Sequence, residues 1–186
     1  MKFNRIVLTF ASIIMIISMV ACGASGPAPL AAAAKDLNYT AEDLGTGYTM
    51  MQESDGVEAL GVDASAPINS ANMRAFATED MQIVTSVVMN VKTVKDAEDA
   101  FGEKGLVGSI TGQLESSIPG VQFKELTSYK FGDKTLMFAG EDATMGKLYL
   151  VVFRKVNIVS VVFIIGSNQT EESAVEIVKK LEAKIK

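Results

Sequence analysis

The chain of 186 residues contains no histidine, no tryptophan and a single cysteine, Cys22. Without histidine there is no imidazole general base and no Ser-His-Asp or Cys-His arrangement. Zinc sites take Cys or His ligands in nearly all cases, so zinc is not expected. Haem would have to be held by Met or Tyr alone. One thiol forms no intrachain disulfide, so stability has to come from the core. Sugar sites lean on aromatic stacking, and a chain with no Trp and 7% aromatic residues is poorly furnished for one. Catalysis would be left to carboxylates, Lys, Tyr or a bound metal. No such constellation stands out, so the chain is not expected to be an enzyme.

Basic residues are also in the minority. Lys and Arg number 17 against 22 Asp and Glu, a net charge of −5. An acidic domain repels nucleic acid and anionic lipid head groups, so neither is an expected direct partner.

What is present begins at the N-terminus. Lys2 and Arg5 form a basic n-region, and residues 6–20 are an apolar stretch. That stretch has the size of a signal h-region and falls short of the roughly twenty residues of a membrane span. Met19-Val20-Ala21-Cys22 then resembles the lipobox of bacterial lipoproteins. The resemblance implies cleavage before Cys22, diacylglycerol on its thiol and acylation, commonly with palmitate, of the new amine. It implies a membrane partner reached through the lipid on Cys22. The protein would then lie on the extracytoplasmic face of the cell membrane, or on the outer membrane of a Gram-negative cell. Two other readings fit the same residues: an uncleaved signal anchor extended through Ala21 to Ala24, and a secreted protein cut after Ala21.

The expected organisation is a signal at 1–21, a flexible tether at 22–35 and one α+β domain at 36–186. Small residues with Pro27 and Pro29 suit a tether. Cleavage before Cys22 removes two cations and leaves 165 residues, with 15 basic and 22 acidic side chains and a net charge of −7. That length suits one domain with a sizeable core.

Within the domain, Thr40 with Asp43 reads as a capping box for a short helical turn. Residues 48–53 read as a first strand, 55–69 as a long loop and 72–77 as a second strand. Residues 81–91 alternate with period two, which predicts a third strand with Met81, Ile83, Val87, Met89 and Val91 on its apolar face. Thr93 caps a helix over 94–101, and a second helical piece is expected at 106–114. Residues 121–129 and 134–139 predict two strands, with turns at Gly132-Asp133 and 140–144. Residues 148–153 and 158–165 are apolar on both faces, which places them in the middle of a sheet covered on both sides. Four residues, 154–157, join them, so they form a hairpin. Asn157 suits a positive φ and Val156 does not, which leaves a longer loop or a bulge open. Thr170 caps a closing helix with Ala174, Ile177, Val178, Leu181 and Ile185 on one stripe. The expected architecture is an antiparallel sheet of six to seven strands with helices on both faces.

Three passages resemble the Mog1/PsbP-like fold, an α/β/α sandwich. These are Asp43-Leu44-Gly45-Thr46-Gly47-Tyr48, residues 93–101 with the paired Asp96-Ala97, and Phe153-Arg154-Lys155-Val156-Asn157-Ile158-Val159. Val156 stands where the pattern usually has Gly. Members of that group serve as binding or assembly factors, so the resemblance implies a non-catalytic module and carries over no catalytic residue.

Several residue groups are candidates for chemistry. Asp133, Glu141 and Asp142 flank one predicted hairpin and could bind Ca²⁺, but the same residues are ordinary turn formers. Gly102, Gly105, Gly108 and Gly112 lack the spacing of a phosphate loop. Met50, Met51, Met73, Met81, Met89, Met137 and Met145 could offer thioethers to Cu(I), yet most lie on apolar strands and read as core. Arg74 suits an anionic ligand or, as favoured here, an edge strand. The only assigned site is therefore Cys22, for lipid, with no metal and no cofactor. The expected function is a lipid-anchored module that binds an envelope protein or ligand. A small-ligand or metal-ion binding lipoprotein is the alternative, and a carboxylate-only hydrolase ranks below it.

The anchor is testable directly. Cys22→Ser should stop processing and leave the precursor at full mass on immunoblots of whole cells, because stable anchoring needs acyl chains on that residue. A mature protein of normal size from this variant would indicate an ordinary cleaved signal.

Overall fold

Two strands that are apolar on both faces set the architecture, because they are satisfied only at the centre of a doubly covered sheet. The computed structural model describes residues 27–57, 66–101, 118 and 120–186. The described strands are β1 (Thr49–Asp55), β2 (Ile68–Ala77), β3 (Ile83–Val91), β4 (Lys124–Glu125), β5 (Lys134–Asp142), β6 (Gly146–Lys155) and β7 (Ile158–Gly166). They form one antiparallel sheet in the order β1-β2-β3-β7-β6-β5-β4. β3 and β7 are buried at every position, and β6 is buried over its middle. The described helices are α1 (Ala34–Leu37), α2 (Ala41–Leu44), α3 (Val94–Ala100) and α4 (Glu171–Lys184). None of them is long and apolar enough to cross a membrane.

The helices divide between the two faces. Leu37, Leu44 and the α4 stripe pack on Phe76, Val84, Val88, Val151, Phe153 and Val162. On the opposite face, Ala97 and Ala100 of α3 join Val87, Leu150, Val161 and Phe163. The chain is thus an α+β sandwich built on a seven-stranded antiparallel sheet with helices on both faces.

Threonine caps start α2, α3 and α4, whereas α1 has Ala33 at its N-cap and no side-chain cap. Thr40 and Asp43 form the expected capping box, and Thr93 accepts from the Asp96 N–H. Thr170 does the same for α4 with Ser173, and Glu171 and Glu172 lie in the first turn, where the helix dipole favours them. The β6–β7 connection is a tight turn with Val156 at φ +55°, a strained conformation for a β-branched residue. Asp133 helps hold the turn by accepting the Val156 N–H at 2.7 Å. Arg154 lies beside the Val156 carbonyl at 3.5 Å. Gly132 is required next to this turn, since a Cβ there would sit 2.3 Å from the Arg154 carbonyl oxygen.

Several expectations are corrected. β2 starts at Ile68, inside the expected loop, because Ile68 already pairs with Val91. β3 starts at Ile83, and Met81 lies in the preceding turn. The strand expected at 121–129 shrinks to Lys124–Glu125, with one further link to β5 where the Leu126 N–H donates to the Met137 carbonyl at 2.8 Å; Val121 turns into the core instead. Residues 140–142 continue β5, and the turn falls at 143–145. Arg74 is not on an edge strand, because β1 pairs along the outer side of β2. The helical piece expected at 106–114 lies outside the described residues.

The largest correction concerns the tether. From Leu30 onward the stretch read as flexible is docked on the sheet. The Leu30 N–H donates to Asn157 Oδ1 at 2.6 Å, and Asn90 Nδ2 donates to the Leu30 and Ala32 carbonyls at 2.9 and 2.7 Å. The Ala34 N–H donates to Ser70 Oγ at 2.9 Å, and Ala34 is fully buried. Asn38 then donates to Asn72 Oδ1 at 2.8 Å and accepts from Ser86. Buried polar groups left without partners each cost about 1–3 kcal/mol. A chain beginning at residue 36 should therefore melt several degrees below one beginning at residue 27, at roughly 2–4 °C per kcal/mol for a domain of this size. Equal melting temperatures in a calorimetric comparison would return residues 27–35 to the role of a tether.

Candidate functional site

The acids singled out by sequence do not assemble. Asp133 stands just before β5, and Glu141 and Asp142 stand at its end, so the length of the strand separates them. At about 3.3 Å per residue that is more than roughly 25 Å. Asp133 serves the β6–β7 turn and lies 3.9 Å from Arg154. Asp142 Oδ1 accepts the N–H groups of Thr144 and Met145 at 2.8 and 2.9 Å, an ordinary Asx turn. Glu141 pairs with Lys147. Among the described residues no three Asp, Glu, His or Cys side chains form a group able to hold a metal. Cys22 and the glycines 102, 105, 108 and 112 lie outside the described residues.

Arg74 is committed within the fold. Its guanidinium holds Glu53 at 2.8 Å and donates to the Tyr39 carbonyl at 2.7 Å. The Arg74 guanidinium, and behind it the Asn72 amide, hold the Glu53 carboxyl below its usual range. The ionised Glu53 carboxylate fastens β1 to β2 through these contacts.

The methionines divide sharply. Met73, Met89 and Met137 are buried in the core, and Met145 packs partly against it. Met50, Met51 and Met81 are exposed by 48%, 57% and 66%, and they are the exposed large apolar side chains among the described residues. The expectation that Met81 faces the core fails for a local reason. Thr78-Glu79-Asp80 is polar turn sequence, and the Thr78 carbonyl and hydroxyl accept the N–H groups of Met81 and Gln82 at 3.1 Å each. That closes a turn and leaves Met81 at φ +61°. The signal was present in the residues before Met81 and was outweighed by the period-two pattern after it.

Met50 and Met51 are exposed because β1 is the outer strand. Strand β1 also carries a bulge: Met50 pairs with Phe76 and Gln52 with Ala75, leaving Met51 unpaired. The extra residue shifts the alternation by one. It thereby sets Glu53 opposite Arg74 and Asp55 opposite Asn72. Bulges re-aim side chains and recur beside functional sites.

Met51 and Met81 line one open groove of about 1010 Å³ at the end of the sheet, with Tyr48, Thr49, Glu79, Asp80 and Gln82. A chain of polar contacts stiffens its wall. Ser173 Oγ donates to Gln169 Oε1 at 2.7 Å, and Gln169 Nε2 donates to Gln82 Oε1 at 2.9 Å. The Tyr48 hydroxyl reaches the same Gln82 oxygen at 3.3 Å. Burial pushes the Tyr48 phenol up, so it remains a neutral donor. The groove thus joins soft apolar side chains to an acidic rim.

No family model matches the chain, and no curated protein matches it. Among solved structures, the extracellular domain of PknH from Mycobacterium tuberculosis aligns with a TM-score of 0.53 at 10% identity, over 86% of this chain and 99% of that one. At this identity the likeness is one of fold.

Met81 separates stability from function. A left-handed conformation costs a non-glycine residue about 1–2 kcal/mol, part of which a glycine returns through its freer unfolded state. Met81→Gly should leave the protein as stable or stabilise it by up to about 1 kcal/mol while removing a thioether from the groove. Denaturant titration measures this, and a clear loss of stability would show that the Met81 side chain is a packing element.

Proposed function

We propose that this chain is an extracytoplasmic binding module, held at the membrane by acyl chains on Cys22, that engages a partner without catalysis through the groove beside β1. One observation carries the reading. The large apolar side chains exposed on the described surface are all methionines, and two of them share a groove with an acidic rim. Methionine adapts its shape to a partner, and solvent-facing thioethers with no packing role suit a binding surface.

Three further points support it. The lipobox-like Met19-Val20-Ala21-Cys22 addresses the chain to the envelope. The resemblance to Mog1/PsbP-like domains is to binding and assembly factors. The structural neighbour is itself an extracellular domain. A second reading, a small-ligand or metal-ion binder, draws on the same two thioethers, which suit Cu(I).

Photo-reactive residues placed at Met51 and at Glu125 distinguish a binding surface from a bland one. In intact cells Met51 should give a discrete adduct, identifiable by mass spectrometry, that Glu125 on the far edge of the sheet does not. Identical adducts from both positions, or none from Met51, would refute the groove. A melting shift of several degrees with Cu(I), lost in Met51→Leu, would move the assignment to the metal reading.

A further inference from the structure

We propose that the outer edge of β1 receives an extended polypeptide segment with basic residues at its two ends and apolar residues between them. This names the partner of the surface proposed above and rests on that reading.

The two sheet edges are unlike. β4, at one edge, is only two residues long, and so short a strand protects an edge. β1, at the other, runs for seven residues, exposed throughout except at half-buried Ser54, and no described strand pairs with its outer side. It carries no proline and no lysine; of the usual guards it has the bulge at Met51 and the acids Glu53 and Asp55, which leave the edge open to a partner of opposite charge. Such an edge is a template for strand addition, in which main-chain hydrogen bonds supply affinity and side-chain pockets supply selectivity. Beyond the bulge, residues 52–55 stay in regular register with β2. Main-chain pairing would therefore run along residues 52–55, with the first half of the added segment lying over the bulge and the groove.

The pockets and charges state what the added strand must carry. Met51 and Met81 offer an adaptable apolar seat at the start of the strand. Glu79 and Asp80 are exposed on the groove rim at this end, and Asp55 is exposed at the other. None of the three has an ion-pair partner among the described residues. Glu53, between them, is already neutralised by Arg74. From Thr49 to Asp55 is six steps, roughly 20 Å. A segment of about seven residues with a cation at each end and apolar side chains between matches this spacing. The same acids disfavour a second copy of the chain, whose net charge of −5, or −7 after cleavage, repels it.

The test uses the full chain in detergent micelles and a synthetic peptide, acetyl-Lys-Val-Thr-Val-Thr-Val-Lys-amide, beside its counterpart with Glu at both ends. The Lys-ended peptide should bind, more weakly as salt rises, and should slow amide exchange in residues 51–55. The Glu-ended peptide should not bind. In the triple variant Asp55→Lys, Glu79→Lys, Asp80→Lys, all at exposed positions, the preference should invert, with the Lys-ended peptide weakened about tenfold or more. Failure of the Lys-ended peptide to bind, binding without protection of β1, or an unchanged preference in the charge-reversed variant would overturn the proposal. Protection of β1 that grows with protein concentration in the absence of peptide would assign the edge to a second copy and also overturn it. Loss of peptide binding alongside a discrete cellular adduct at Met51 would reject the peptide and leave the groove as a binding surface.

Discussion

A row of polar side chains on a buried sheet face holds this protein together. Ser70 and Asn72 of β2, Ser86 and Asn90 of β3 and Asn157 at the β6–β7 turn lie where the neighbouring positions are Phe76, Val84, Val88 and Val162. Buried amides and hydroxyls are tolerated only when hydrogen-bonded. Residues 30–39 supply most of the partners: the Leu30 N–H and carbonyl, the Ala32 carbonyl, the Ala34 N–H and the Asn38 side chain. The apolar surface alone would accept many segments. The polar row accepts this one in one register, because Asn90 and Asn157 are met by particular backbone groups of residues 30–32 and Asn72 by the Asn38 side chain.

The same row extends to the exposed edge. Asn72 contacts both Asn38 and Glu53, and Arg74 contacts both Tyr39 and Glu53. One contiguous set of hydrogen bonds therefore links the segment leading in from the N-terminus to the outer strand that carries Met50 and Met51. The bulge at Met51 completes the link, since without the one-residue shift Glu53 would face away from Arg74. Burial on the other side closes the frame: the Tyr39 hydroxyl donates to the Ile177 carbonyl of α4 at 2.7 Å, and burial pushes its pKa well up, so it remains a donor.

The methionines illustrate how position decides the role of one residue type. Met73, Met89 and Met137 fill the two faces of the sheet, where an unbranched chain adapts to irregular gaps. Met50, Met51 and Met81 have the same chemistry but lie at the outer strand and in the turn beside it. Nothing in their composition distinguishes the groups. The order of strands does, because β1 has a neighbour on one side only among the described residues.

The succession of seven strands and the central hairpin were legible in the sequence, the hairpin because residues 148–153 and 158–165 are apolar on both faces and have too short a connection for any other pairing, whereas α1 was not. The three threonine caps were legible for the same local reason: Thr40, Thr93 and Thr170 each meet an N–H three residues ahead. The amino-acid composition by itself also withheld imidazole, a second thiol and a disulfide. What the tertiary structure alone decided was long-range. Asn90 and Asn157 are 67 residues apart and Leu30 and Asn157 are 127 apart, yet they share one buried network. Strand periodicity reports which side a residue faces, not which strand or segment it faces there. The docking of residues 30–35, the edge position of β1, the bulge at Met51 and the exposure of Met81 all follow from those distant pairings. The groove could emerge only once the chain had folded back on itself.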